Sequence, residues 1–324
     1  MRAIVTDEFG GPDVLHLAEV TDPVPGPGEV LIEVVGSGVN RADLLQRQGQ
    51  YPPPPGASPI IGLEVSGRIA GLGPQVEGWQ VGDPCVALLA GGGYAELVVA
   101  PVGQVVAPPE GVDLVTAAGL IEVAATVASN LTRVGLRAGE ILLVHGGSGG
   151  IGSFAIQYAA ALGARVVATA GNPDKLALCR ELGAEAAFDY HQDWRGALLG
   201  ATAEHGADVI LDVIGAKYLT DNVNALADDG RLIVIGLQGG AKGTINLAAL
   251  MAKRGLLSAT GLRGRPVEQK AAICSEVART VWRLYTSGVI KPAHETRFPA
   301  ASASAAHAHL ESGDAVGKLI LTWD

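Results

Sequence analysis

The sequence predicts an α/β protein in which a β-rich, barrel-like domain accompanies a doubly wound parallel sheet. Three observations carry that reading. Short β-favouring runs, separated by turn residues, fill roughly the first third of the chain. Further on the period changes, and six strands follow with helices between them. Between the first strand and the first helix of that series stand Gly146, Gly147, Gly149, Gly150 and Gly152.

Taken in order, the early runs are residues 3–6, 15–20, 30–35, 62–72, 81–89 and 94–100. Gly10-Gly11-Pro12, the proline–glycine stretch 23–28, and Gly36 with Gly38 punctuate them. No helical period interleaves, which predicts a compact barrel. A helical pattern covers 117–133. Strands follow at 141–144, 165–170, 186–188, 208–213, 231–236 and 256–261, with helices near 151–162, 173–182, 193–205, 217–227 and 247–253. Such a series builds a parallel sheet covered on both faces. Residues 263–324 offer a long helix over 268–287, a strand-like run, a helix over 303–311 and a closing strand at 318–321. That tail is too small to hold a core alone, so it is expected to complete the first domain. The predicted boundaries are 1–123 with 263–324, and 124–262.

Gly146, Gly149 and Gly152 stand three apart after a strand, and they open a helix whose Ile151, Phe154, Ala155, Tyr158 and Leu162 recur at helical steps. This is the context of the dinucleotide-binding, or Rossmann, fingerprint. One glycine makes the tight turn, one lets the backbone approach a pyrophosphate, and one lets helix and strand pack closely. The helix N-terminus adds free N–H groups and a positive dipole end. Residues 141–164 carry no Asp, Glu, Lys or Arg, as a membrane span would. The helix is only about a dozen residues, however, against the roughly 20 a bilayer needs.

Among the 324 residues, 48% are hydrophobic and 17% charged, and the net charge is −10. A core of ordinary size is implied, and no basic stripe suggests a nucleic-acid or membrane partner. The N-terminus lacks an apolar signal core and carries Asp7 and Glu8, which points to a cytoplasmic protein. Cys85, Cys179 and Cys274 are far apart and read as buried thiols.

The domain order resembles that of the medium-chain dehydrogenase/reductases, with a GroES-like barrel and a Rossmann domain. Asn40-Arg41-Ala42-Asp43-Leu44, the stretch 46–55, Ile61-Gly62-Leu63-Glu64, Asp212-Val213-Ile214-Gly215 and Gly317-Lys318-Leu319 narrow the likeness to the zeta-crystallin-type quinone oxidoreductases. The prolines 52–55 and Gly91-Gly92-Gly93-Tyr94 are most similar to the branch induced by the mammalian tumour suppressor. Zinc-dependent relatives carry Cys where this chain has Asn40 and His where it has Leu63. Both are poor zinc ligands, and only Cys85 falls in the stretch where the relatives' structural zinc lobe lies, so no metal is expected. His307 and His309, two apart on a helix, do not face each other and read as surface residues. Without a Lewis acid the acceptor should itself be electrophilic, as a quinone is.

An NAD site places Asp or Glu at the end of the second strand. Here Thr169 and Ala170 lead into Gly171 and Asn172, with Lys175 in the next helix and Tyr190 after the third strand. The missing acid, the cation and the hydroxyl favour NADPH. By resemblance, Gly147, Ser148, Gly149, Gly150 and Ile151 cradle the pyrophosphate, and Thr126 touches the nicotinamide side. Ile214, Gly236, Leu237, Leu262, Arg263 and Lys318 contact the cofactor, and Asn40 and Tyr51 position the acceptor and donate a hydrogen bond to its oxygen. No Cys or His stands near Asn40, Tyr51 and Leu63 in the sequence, so direct hydride transfer without a protein acid is expected. The resulting expectation is an NADPH:quinone reductase, homodimeric through an apolar edge such as 256–259. The alternatives are an enal or enone reductase and a non-catalytic nucleotide-binding protein.

Overall fold

The computed structural model describes residues 1–323 and divides the chain into two compact units, Met1–Ala125 with Leu262–Asp324, and Thr126–Gly261. The division falls inside the helix Ile121–Val134, two residues past the first sequence boundary.

In the second unit six parallel strands lie in the order Ala186–Asp189, Arg165–Ala170, Ile141–His145, Ala207–Asp212, Leu226–Val234 and Leu256–Ala259. In chain order this is 3-2-1-4-5-6, the doubly wound dinucleotide-binding arrangement. Ile141–His145 is buried at every position, as a central strand with both faces covered must be. The expected helix over 217–227 is shorter, Leu219–Ala225, because the fifth strand begins at Leu226 and bulges before Arg231.

The first unit is built on one long strand, Glu29–Val39. Val30, Ile32 and Val34 alternate into a core with Val65, Ile69, Cys85, Ala87, Leu89 and Val98. Glu64–Leu72 pairs along one edge of this strand. The other edge is shared: Leu97–Pro101 takes its first half and Lys318–Thr322 its last. Register shifts near Leu31 and Val34 bend the strand. The tail does return here, with Glu295–Pro299 parallel to Lys318–Thr322.

Two expectations fail in this unit. The strands do have a helix among them, Arg41–Arg47, started by Asn40, whose N–H is taken by the Asp43 carboxylate at 2.7 Å. The helical stretch 117–133 is divided into Leu114–Ala117 and Ile121–Val134. At the break, Gly119 lies against Lys318, where a Cβ would come within 3.1 Å of Cε.

Candidate functional site

The glycine turn has the geometry its spacing implies. Gly146 has φ +71, open to glycine but not to most residues. A Cβ on Gly152 would strike the Gly146 carbonyl, so the third glycine seats the helix Gly150–Ala161 against the turn. A Cβ on Gly149 would meet nothing nearer than 3.6 Å, which leaves that side open to a ligand. Gly149 caps the helix, and the first-turn N–H groups from Gly150 and Ile151 have no partners within the helix. Ser148 is buried at the turn. Thr169 stands behind the turn: its carbonyl takes the Gly147 N–H at 2.9 Å and its hydroxyl the Gly146 N–H at 3.4 Å.

The ends of the second and third strands bring together Gly171, Asn172, Lys175 and Tyr190. Tyr190 N–H bonds to Ala170 O, and its hydroxyl lies over Gly171 so closely that a Cβ there would collide. Asn172 caps the next helix by accepting the Lys175 N–H at 2.9 Å. Asp174 sits in that first turn, exposed. The second strand ends without an acid of its own, but Asp189, last in the third strand, pairs with its final residue, Ala170, and accepts the His191 N–H at 2.9 Å. After the fourth strand, both Asp212 oxygens accept backbone N–H groups, from Ile214 at 2.7 Å and Gly215 at 3.0 Å. Gly236 packs on Val213, and the N–H groups of Gln238 and Gly239 return to Val213 and Ile214. Leu237 is exposed beside them. Thr126 is buried, its carbonyl taking the Asn130 amide at 2.7 Å.

In the first unit Asn40 belongs to a tight polar cluster. Lys318 Nζ lies 2.7 Å from Glu64 Oε1, 2.8 Å from Asn40 Oδ1 and 3.3 Å from Val39 O. The other Glu64 oxygen takes the Glu122 N–H at 3.0 Å. An ammonium only donates, so Asn40 must turn its oxygen to Lys318 and its nitrogen to Glu64 Oε1, 3.0 Å away, and Gly38 O. Both amide hydrogens are therefore engaged. One lone pair on Asn40 Oδ1 is left over from these contacts.

Tyr51 is half-buried, and the Arg263 guanidinium sits 5.2 Å over its ring. Burial raises the Tyr51 pKa, opposed by Arg263. Arg263 also donates to Ala90 O at 2.7 Å, Tyr51 O at 3.1 Å and Gln46 Oε1 at 2.7 Å. Of the two cations taken by resemblance as cofactor contacts, Lys318 turns its ammonium onto three protein oxygens and Arg263 gives one donor of each guanidinium nitrogen to the protein. Leu262 is half-buried beside Arg263.

Sequence reasoning missed a buried relay. Asp43 Oδ2 accepts from Asn40 N–H and from Tyr94 OH at 3.2 Å, and Tyr94 OH lies 3.0 Å from His307 Nε2. Arg47 bonds His307 Nδ1 from the other side. His307 is fully buried, against the surface placement expected for it. Spacing along its own helix says nothing of Tyr94, 213 positions away. Burial lifts the Asp43 carboxyl to about 7, against the Asn40 N–H and Lys318. Asp43 Oδ1 is buried without a partner. The spacing of Asn40 and Asp43, a helix start followed by an acid three residues on, is the signal that was available.

Residues 150–274 match the zinc-binding dehydrogenase family model, and 26–110 match the alcohol dehydrogenase GroES-like domain. A quinone oxidoreductase of Lama guanicoe is 31% identical, with 99% of this chain and 97% of that protein covered. One of Pseudomonas aeruginosa is also 31% identical, with 97% of each covered. The crystal structure of an Escherichia coli quinone oxidoreductase complexed with NADPH superposes at TM-score 0.89 and 27% identity, covering all of both chains. An NAD-dependent alcohol dehydrogenase superposes over all of both chains at 0.88 and 29%. The chain belongs to the medium-chain dehydrogenase/reductase family. It is an oxidoreductase of that family, and quinone oxidoreductases are among its full-length relatives.

The zinc in the name of one family model does not fit these residues. At Asn40 and Glu64 the cation is the protein's own Lys318 ammonium. Among the described residues no group of three or more His, Cys, Asp or Glu is placed to hold a metal. Cys85, Cys179 and Cys274 are buried and separate, with thiols pushed up to about 12, 11 and 12, whereas a metal ligand must be a thiolate. No helix of the described residues is long and apolar enough to cross a membrane.

Proposed function

We propose that the protein is an NADPH-dependent quinone reductase that works without a metal. The observation that carries this reading is the Lys318–Glu64–Asn40 cluster, in which a built-in cation stands at the centre of the first unit's polar site. A buried ion pair with its remaining lone pairs satisfied is a fixed structure, and removing one partner costs several kcal/mol. With the Lys318 ammonium in that place, an acceptor that is electrophilic by itself, as a quinone is, suits the site.

The glycine turn, Ser148 and the helix start at Gly150 and Ile151 would hold the pyrophosphate of NADPH. Lys175, Asn172, Gly171 and Tyr190, beyond a second strand that ends without an acid of its own, suit its 2′-phosphate. Thr126, Ile214, Gly236, Leu237 and Leu262 would supply the remaining contacts. When bound, NADPH supplies the hydride. Tyr51, held neutral by burial and braced by Arg263, donates a hydrogen bond to the acceptor oxygen. Asn40 accepts one from a hydroxyl of a bound ligand. A quinone leaves its charge on a phenolate-type oxygen, which solvent protonates, so the chain's part is proximity and orientation.

The alternative is reduction of an enal or enone. A panel of quinones and enals with NADPH and NADH, followed by nicotinamide absorbance, separates the two. No turnover of any quinone would overturn the proposal. The exposed Leu256 and Leu257 on the edge strand support a homodimer made by a second copy, and the three buried thiols suit a reducing, cytoplasmic compartment.

A further inference from the structure

Beneath the glycine turn runs a chain of polar side chains that the proposed reaction does not use. His145, the last residue of the central strand, is buried, with Nε2 2.7 Å from Asn222 Oδ1 and Nδ1 3.0 Å from Thr169 Oγ1. Trp194 and Tyr218 pack edge-on against its ring, centroids 4.8 and 4.9 Å away. An amide oxygen only accepts, so Nε2 carries the hydrogen and donates to Asn222. Nδ1 is then a bare lone pair, and the Thr169 hydroxyl donates to it. The direction of that O–H leaves the Thr169 oxygen free to accept the Gly146 N–H, as observed.

The Asn222 amide oxygen faces His145, and its nitrogen lies toward Asp212. Its buried nitrogen falls short of hydrogen-bond geometry with any partner, yet it favours the charged form of Asp212. Turning the amide round would set its oxygen toward that carboxylate. Asp212 in turn holds the N–H groups of Ile214 and Gly215. The chain therefore underlies two loops, the glycine turn and residues 213–215. Burial keeps His145 neutral, with its pKa lowered to about 4.

We propose that His145, Asn222 and Thr169 form a positioning relay that fixes the peptide groups of the glycine turn from beneath, and so sets the affinity of the turn for the diphosphate of a dinucleotide. The relay rests on the dinucleotide reading above. It gives Thr169, at the end of the second strand beside the expected cofactor site, a supporting role.

The test uses Thr169→Val, which keeps shape and removes the hydroxyl, Thr169→Ser, which restores it, His145→Phe, and the Thr169→Val/His145→Phe pair. Amide hydrogen exchange at Gly146 and Gly147 is measured in the unliganded protein, and the NADPH dissociation constant by nucleotide fluorescence. Loss of the Thr169–His145 hydrogen bond, which both variants break, predicts faster exchange and about 5- to 10-fold weaker NADPH binding in Thr169→Val and in His145→Phe. The pair should be no worse than either single variant, and Thr169→Ser should match the wild type. The acceptor KM should stay unchanged, which a general loosening of the fold would not leave so. Unchanged exchange and affinity in Thr169→Val, or fully additive losses in the pair, overturn the relay. Should Thr169→Val not fold, Asn222→Leu asks the same question from the far end, with the same two outcomes. A wild type that binds no NADPH would sink the dinucleotide reading instead, while the exchange measurement would still decide the relay.

Discussion

Asp43→Asn is the perturbation with the most definite consequence for stability. Asp43 is buried between Asn40, Tyr94 and the Lys318–Glu64 pair, and one of its oxygens has no partner. Its carboxyl is raised from the ordinary value near 3.9 to about 7 by burial. Between those values the folded protein holds a proton that the unfolded chain has lost. Stability therefore falls as pH rises through this window, and the loss is complete above about pH 7. Each pH unit of difference is worth about 1.36 kcal/mol, so the charged carboxylate costs the fold about 4 kcal/mol at most. Asn keeps the size and the accepting oxygen but never charges. Asp43→Asn should match the wild type near pH 4 and exceed it by a few kcal/mol at pH 8. Urea unfolding followed by tryptophan fluorescence measures this, since Trp79, Trp282 and Trp323 lie in the first unit and only Trp194 in the second. The reasoning is refuted if the variant is less stable than the wild type at pH 8, or if the difference between the two does not change with pH.

Lys175→Ala should weaken NADPH binding roughly 10- to 100-fold, the worth of a charge-assisted bond to phosphate, and leave NADH binding unchanged; isothermal titration with both nucleotides checks it, and equal wild-type affinity for the two would remove the assignment. Tyr51→Phe should cost about tenfold in acceptor kcat/KM, as loss of one neutral hydrogen bond does. A steep kcat loss with disappearance of an alkaline titrating limb, above the ordinary tyrosine range because burial raises the group, would make Tyr51 a proton donor in the reaction instead. Elemental analysis of the purified protein should find no stoichiometric zinc, and activity should survive a chelator; one zinc per chain would contradict the Lys318 reading. Leu257→Glu, on the edge strand, should shift sedimentation from dimer to monomer, and a wild type that is monomeric at micromolar concentration would count against the edge as an interface.

The sheet domain was legible because its signals are local. An apolar strand, a glycine turn and an amphipathic helix are each visible within a dozen residues, and their repetition marks a doubly wound parallel sheet, though not the order of its strands. The helix Arg41–Arg47 escaped because it is two turns long and its start depends on a single acid at Asp43. The polar clusters escaped for another reason. Lys318 meets Glu64 across 254 positions, and His145 meets Asn222 across 77. A charge looks the same in sequence whether solvated or paired in the core, so neither the role of Lys318 nor the burial of His307 was written in any short stretch.

The last strand of the first unit also bears on how the protein is made. Residues 126–261 leave the ribosome as one uninterrupted piece carrying a whole sheet, and domains generally fold as units during synthesis. The first unit has to wait. Until Lys318–Thr322 emerges, Gly36–Val39 has an open edge and Glu64 lacks its counter-charge. A nascent chain halted anywhere before residue 318 thus pairs a finished nucleotide domain with an unfinished one. A chaperone or protease would find its target on the half of the protein that was translated first.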